Sequence, residues 1–245
     1  MKKLIMANWK MQLSLAESRA LAKKYALTLA KSKNEVVICP DYLALAEVGA
    51  ILRHSKIVLG AQDSAITDKG AYTGEVSPLN LKALGVKYVI LGHSERREHL
   101  HENSAIINNK IKAALNAKLI PVLCVGEKWA EHVAGQTEEY LAMELRHALK
   151  GVKIKTAAEL VVAYEPVWAI STNKHARPMA PEEADKVQKF LARLALKILQ
   201  KPVRVIYGGS VNSQNAVAFL SQPNVAGLLV GGASLKPTEF IKMNA

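Results

Sequence analysis

Apolar residues in this chain gather into eight short runs: Leu4–Ala7, Glu35–Cys39, Ile57–Ala61, Tyr88–Leu91, Ile120–Val125, Leu160–Tyr164, Val203–Tyr207 and Gly227–Val230. The runs are nearly continuous in apolar residues rather than alternating, as expected of strands buried on both faces. Stretches of helical periodicity lie between them. In the clearest, Val187, Phe190, Leu191, Leu194 and Ile198 recur at i, i+3, i+4, i+7 and i+11, and Pro202 ends the run. Its start is marked as well, with Pro181 as a first-turn residue and Glu182 and Glu183 to complement the positive helix end.

Strand and helix alternating eight times in 245 residues match an α/β fold of the (β/α)8 barrel type in count and length. A doubly wound open sheet gives the same alternation, and the pattern alone does not separate the two. The open sheet usually carries a Gly-rich turn after its first strand. Here that turn reads Asn8-Trp9-Lys10-Met11, and no G-x-G-x-x-G occurs. No linker, repeat or low-complexity tract divides the chain, so residues 1–245 are expected to form a single domain.

Composition narrows the class further. With 50% hydrophobic and 22% charged residues, the chain is neither disordered, collagen-like nor a disulfide scaffold. Its apolar runs fall far short of the roughly 20 residues of a membrane span. Residues Met1–Lys10 lack the apolar stretch of a secretory signal, so the expected location is the cytoplasm, with no membrane partner. Cys39 and Cys124, each in an apolar run, read as small buried hydrophobes of a reducing compartment. The formal net charge is +12, but the cations are spread along stretches such as Lys23-Lys24, Lys186–Lys189 and Arg193–Lys197. Without a dense basic run or interleaved aromatics, they read as solvated outer faces with no specific nucleic-acid partner.

In a parallel barrel the functional groups sit just past the C-terminal ends of the strands. The first run leads into Asn8 and Lys10, the fourth into Gly92-His93-Ser94-Glu95-Arg96-Arg97, and the sixth into Glu165-Pro166-Val167-Trp168. The last two lead into Gly208-Gly209-Ser210 and Gly231-Gly232. Glu165 leaves a buried run poorly solvated, which makes it a stronger proton acceptor; the plainer alternative is a helix cap or a structural ion pair. His93, at a helix start, would stay neutral and able to donate a hydrogen bond, or be a satisfied structural histidine. Lys10 is a fixed cation for a phosphate or oxyanion, or simply surface. The two glycine turns free backbone N–H groups for an anion, although Gly-Gly pairs are also ordinary turns. Around Glu98-His99-Leu100-His101-Glu102, histidines two apart on a helix point in different directions and H-E-x-x-H is missing, so no metal site is expected.

Taken together, Ala7–Met11, Gly92–Arg97, Ala163–Ile170, Tyr207–Val211 and Val230–Leu235 resemble the triosephosphate isomerase family, in family order from the first strand to the last. The resemblance implies a TIM barrel that interconverts dihydroxyacetone phosphate and glyceraldehyde 3-phosphate in glycolysis and gluconeogenesis, without cofactor or metal. It implies Glu165 as the base, His93 as the polarising proton shuttle, Lys10 as the stabilising charge, Asn8 as an orienting group and Glu95 as a supporting carboxylate. It places the backbone N–H groups of Ser171, Ser210, Gly231 and Gly232 on the substrate phosphate. Residues 166–176 resemble a lid loop hinged at Pro166-Val167-Trp168 and Lys174-His175-Ala176, and residues 70–75 resemble the loop that enters a partner subunit, so a homodimer is implied. The departures include Ser171 and Asn173, where the family usually has glycine, and Ala180, where Ser or Thr often caps a helix at a gain of about 1 kcal/mol. A working lid with altered closing kinetics is expected from the first two.

Overall fold

Burial on both faces drives the strands into a closed cylinder. In the computed structural model, which describes residues 2–170 and 177–244, the strands pair in parallel and in sequence order. They are β1 (Leu4–Asn8), β2 (Glu35–Cys39), β3 (Val58–Ala61), β4 (Tyr88–Leu91), β5 (Ile120–Val125), β6 (Val161–Tyr164), β7 (Arg204–Tyr207) and β8 (Gly227–Val230). β8 returns to β1, with Leu4 opposite Gly227 and Ala7 opposite Val230. That closure removes the open-sheet alternative. β1 runs one residue further than the apolar pattern because Asn8 pairs with Cys39, while β3, β6 and β7 each begin one residue later than the pattern.

Side chains along each strand alternate between two apolar layers. Leu4, Met6, Val37, Cys39, Ile90, Val122 and Ile206 pack together in the barrel interior. Their neighbours Ile5, Ala7, Val36, Ile38, Val89, Leu123 and Val205 belong to the larger core shared with the helices. The helices are α1 (Leu15–Thr28), α2 (Tyr42–Leu52), α3 (Pro78–Ala83), α4 (Ser94–His99), α5 (Ser104–Asn116), α6 (Trp129–Val133), α7 (Thr137–Ala148), α8 (Pro181–Leu199), α9 (Ala216–Leu220) and α10 (Pro237–Met243). None of the described helices is long and apolar enough to cross a membrane.

α8 shows how packing refines a sequence pattern. Its fully buried line is Ala184, Gln188, Leu191, Ala195 and Leu199, whereas Val187, Phe190, Leu194 and Ile198 are half-buried. Two alanines on the buried line, Ala184 and Ala195, take little room, and Val187, Phe190, Leu194 and Ile198 flank that line. As anticipated, Ala180 stands at the N-cap with no side-chain hydrogen bond.

Where β2, β4 and β7 begin, Glu35 accepts hydrogen bonds from Arg204 Nη1 at 2.8 Å, Tyr88 Oη at 2.7 Å and Lys87 Nζ at 3.0 Å. Burial alone would push the Glu35 carboxyl up, but these three donors outweigh it and hold its pKa down from 4.5 to about 2. A depressed carboxylate stabilises the fold above its unfolded value, and that stabilisation is lost as pH falls. Glu35→Gln should therefore flatten the decline in stability between pH 4.5 and about 2. Urea midpoints across that window check this, and parallel profiles for the two proteins would contradict it.

Candidate active site

The barrel topology carries the ends of β1, β4, β6, β7 and β8 to one mouth. Asn8, Lys10, His93, Glu165, Gly208 and Gly231 line a single cavity there. Residues scattered over more than two hundred positions thus meet because each lies at, or within two residues past, the C-terminal end of a strand of the same cylinder.

Lys10 sits in an unusual backbone conformation, with φ of 53° in the left-handed region that side chains disfavour. Its neighbours hold it there. The Lys10 N–H donates to Asn8 Oδ1 at 3.1 Å, and Gln62 Nε2 donates to the Lys10 carbonyl at 2.9 Å and to the Cys39 carbonyl at 2.9 Å. The ammonium reaches Glu95 Oε1 at 2.5 Å.

His93 is the N-cap of α4, and its Nδ1 accepts a hydrogen bond from the Glu95 N–H at 3.2 Å. A ring nitrogen that accepts from an amide bears no proton, so the network assigns a neutral imidazole protonated at Nε2. That Nε2 lies 3.2 Å from Glu165 Oε1. Both side chains are buried, His93 at 6% and Glu165 at 2% exposure. Glu165 Oε2 accepts from the Ser94 N–H at 3.2 Å. A Cβ at position 208 would stand 2.8 Å from Glu165 Cγ, so glycine there keeps the carboxylate's place open.

Behind this pair lies a layer of groups not recognisable from the sequence pattern. The Cys124 thiol is pushed well up by burial and then by the neighbouring Glu165 carboxylate, so it is a neighbour of the carboxylate and more than a filler of space. Arg97 ties the ends of β4 and β5 together through the carbonyls of Gly92 at 2.8 Å and Cys124 at 3.0 Å, and it pairs with Glu144 at 3.0 Å. Glu144 also accepts from the Gly126 N–H at 3.0 Å. Glu127 Oε1 accepts from Trp168 Nε1 at 2.8 Å and Tyr164 Oη at 3.1 Å, which fixes the segment that follows Glu165. The His132 ring packs on Trp168 with centroids 4.1 Å apart. No local motif marks Gln62, Glu127 or Glu144, because their partners are distant in the chain.

The glycine turns differ from one another. Among the described residues, the N–H groups of Gly231 and Gly232 carry no hydrogen bond, leaving two adjacent donors at the mouth. The Ser210 N–H, by contrast, donates to the Ala169 carbonyl at 3.0 Å. It is engaged in this arrangement, contrary to the expectation of a free donor. Ser171, together with the lid positions 172–176, lies outside the described residues.

One expected helix also ends early. α4 stops at His99, and His101 takes a φ of 55°, so Glu98–Glu102 is not a continuous helix. Glu102 turns inward to Lys110 at 2.5 Å and Arg96 at 2.8 Å instead. No group of three or more potential ligands is placed to hold a metal ion among the described residues.

Comparison with known proteins agrees with this geometry. The family model described as triosephosphate isomerase matches residues 3–245. The triosephosphate isomerase of Dictyoglomus thermophilum is 44% identical over 241 residues, covering 98% of this chain and 97% of that protein. That of Nocardia farcinica is 42% identical over 250 residues, covering 100% and 96%. The crystal structure of triosephosphate isomerase from Bartonella henselae superposes with a TM-score of 0.88 at 33% identity, covering 99% of this chain and 98% of that one. With the family model spanning nearly its whole length and the strand-end residues meeting at one mouth, this chain belongs to the triosephosphate isomerase family.

Proposed function

We propose that the mouth interconverts dihydroxyacetone phosphate and D-glyceraldehyde 3-phosphate through an enediolate, on one domain spanning residues 1–245. The reading is carried by one observation: a buried carboxylate, Glu165, lies 3.2 Å from the protonated nitrogen of a neutral histidine, His93. Glu165 removes a proton from the carbon beside the carbonyl, and the electron pair moves onto the carbonyl oxygen. His93 Nε2–H donates to that oxygen, and the ring passes protons between the two enediolate oxygens. The Lys10 ammonium offsets the developing negative charge, and Glu95 holds that ammonium in place. Asn8, bonded to the Lys10 N–H, keeps the cation's loop aligned with the substrate. Glu165 then returns its proton to the neighbouring carbon. Substrate and product are isomers, so every proton taken is returned and no electron acceptor is consumed.

The phosphate is held by the N–H groups of Gly231 and Gly232, joined by those of Ser171 and of Ser210 once the latter leaves Ala169. Purified protein should isomerise glyceraldehyde 3-phosphate in an assay coupled to reduction of the product, with EDTA present. A folded protein without turnover would overturn the assignment.

The working unit is a homodimer. Loop 70–75 is exposed along its whole length, with Tyr72 49% accessible, and Met11 and Leu43 present further apolar surface at 89% and 87%. Light scattering should give twice the mass of the 26.7 kDa chain; a single-chain mass excludes it. The two buried cysteine thiols suit the reducing cytoplasm.

A further inference from the structure

The fold gathers charge that the sequence scatters. In a parallel barrel, every connection from a helix to the next strand lies at the end opposite the active mouth. Here these are residues 29–34, 53–57, 84–87, 117–119, 149–160, 200–203 and 221–226, with residues 2–3 leading into β1. They contain twelve Lys and Arg residues and one acid, Glu159. This end therefore carries +11 of the chain's net +12. The described strand-to-helix connections at the mouth hold five cations and six carboxylates, close to neutral. The cations named on α1 and α8 are solvated outer-face charges as expected, while the excess of cations over carboxylates lies in the connections at this one end.

Eleven of the twelve are exposed; Lys3 alone is half-buried, donating to the Val225 carbonyl. Glu35 pairs with both Arg204 and Lys87, and because Arg204 balances its charge, the excess of +11 in the connections is unchanged.

We propose that this face docks on a planar anionic surface, a lipid bilayer displaying acidic headgroups. Six of the seven connections are six residues or shorter, which makes the end of the barrel a shallow face that a plane meets all at once. A nucleic-acid rod would meet only a strip of it. Eleven of the twelve cations are lysines, point charges on long stems, and Arg53 alone offers the bidentate fork suited to base or phosphate recognition. No Phe, Tyr or Trp occurs in these connections, so nothing there stacks on bases. A hollow of about 670 Å³ opens on the same face; Ile120, Ala157, Ala158 and Val203 line it together with Lys2, Lys87 and the Glu35–Arg204 pair. A largely apolar hollow on a face of exposed lysines fits an amphiphile better than a polar polymer. Lysines near an acidic leaflet add their attractions and lose them within a Debye length as salt rises. Docking this way leaves the mouth facing solvent.

The test is cosedimentation of the full chain with phosphatidylcholine vesicles, with and without phosphatidylserine. Binding is expected only with phosphatidylserine, falling steeply with added salt. Lys150→Gln/Lys153→Gln/Lys155→Gln should weaken it by about 100-fold at low salt, and Lys31→Gln/Lys33→Gln by a smaller factor. Isomerase turnover, unchanged in both variants, reports that each is folded. No binding at low salt, equal binding to neutral vesicles, or wild-type affinity in the triple variant would each overturn the proposal. So would duplex DNA displacing the protein from the vesicles at matched phosphate charge, which would make nucleic acid the partner.

Discussion

Glu165→Gln should lower kcat by about 10²- to 10⁴-fold, the range that a positioned general base contributes. The substitution keeps shape and volume, so the cavity is preserved. It removes the one atom pair that can take the substrate proton. The Ser94 N–H that donates to Oε2 and the His93 Nε2 that lies near Oε1, each at 3.2 Å, would then face an amide with a single acceptor oxygen. KM should change little, because Glu165 contacts neither of the glycine N–H donors at 231 and 232. Stability should hold or rise, since a carboxylate only 2% exposed is replaced by a neutral group. Glu165→Asp separates presence from placement: the carboxylate remains but retreats by a methylene, and misplacement of about 1 Å costs about 10²-fold. The coupled assay gives kcat and KM, and thermal unfolding gives stability. A kcat for Glu165→Gln within tenfold of the parent would remove the carboxylate from its assigned role.

Lys110→Met should destabilise the fold by about 3–5 kcal/mol at neutral pH, the cost of breaking a buried ion pair from one side. Lys110 Nζ lies 2.6 Å from Asp63 Oδ2 and 2.5 Å from Glu102 Oε1, and Arg96 contacts the same two oxygens at 2.8 Å each. With the ammonium gone, one guanidinium faces two buried carboxylates. Burial pushes the Asp63 carboxyl up from 3.8 to about 6, against the pull of Lys110. For an acid raised in the folded state, the stabilisation is complete below the unfolded value and is lost as pH rises through the folded one. The loss in Lys110→Met should therefore be largest near pH 7 and shrink toward pH 5, as Asp63 takes up a proton. Lys110→Met/Asp63→Asn should recover part of it. Urea unfolding with an unchanged m value measures each step. A loss below about 1 kcal/mol that ignores pH would refute the account.

The two predictions divide along what the chain makes legible. Glu165, His93 and Lys10 lie one, two and three residues past the end of an apolar run, so a barrel reading alone places them at one mouth. Lys110 carries no such mark. It lies within α5 and looks like any helical lysine until Asp63 and Glu102 are brought beside it. Gln62, Glu127 and Glu144 share that silence, since their partners Lys10, Trp168 and Arg97 stand 52, 41 and 47 positions away. Ser210 is partly legible for the opposite reason: its motif offers a backbone N–H but does not show that the Ala169 carbonyl accepts from it in this arrangement.

The sequence by itself determined the eight strands and the residues at their ends, because these follow from local apolar runs, and its strand-end motifs carried the family resemblance. It also determined the net charge. Tertiary structure alone decided that the sheet closes, since closure is a pairing between β1 and β8, at opposite ends of the chain. It decided the tautomer of His93, which depends on an amide meeting Nδ1 in three dimensions. It decided which line of α8 is fully buried, Ala184, Gln188, Leu191, Ala195 and Leu199, because that depends on what the helix packs against and not on its own periodicity. And it collected twelve scattered cations on one face, because charge adds through space and not along the chain.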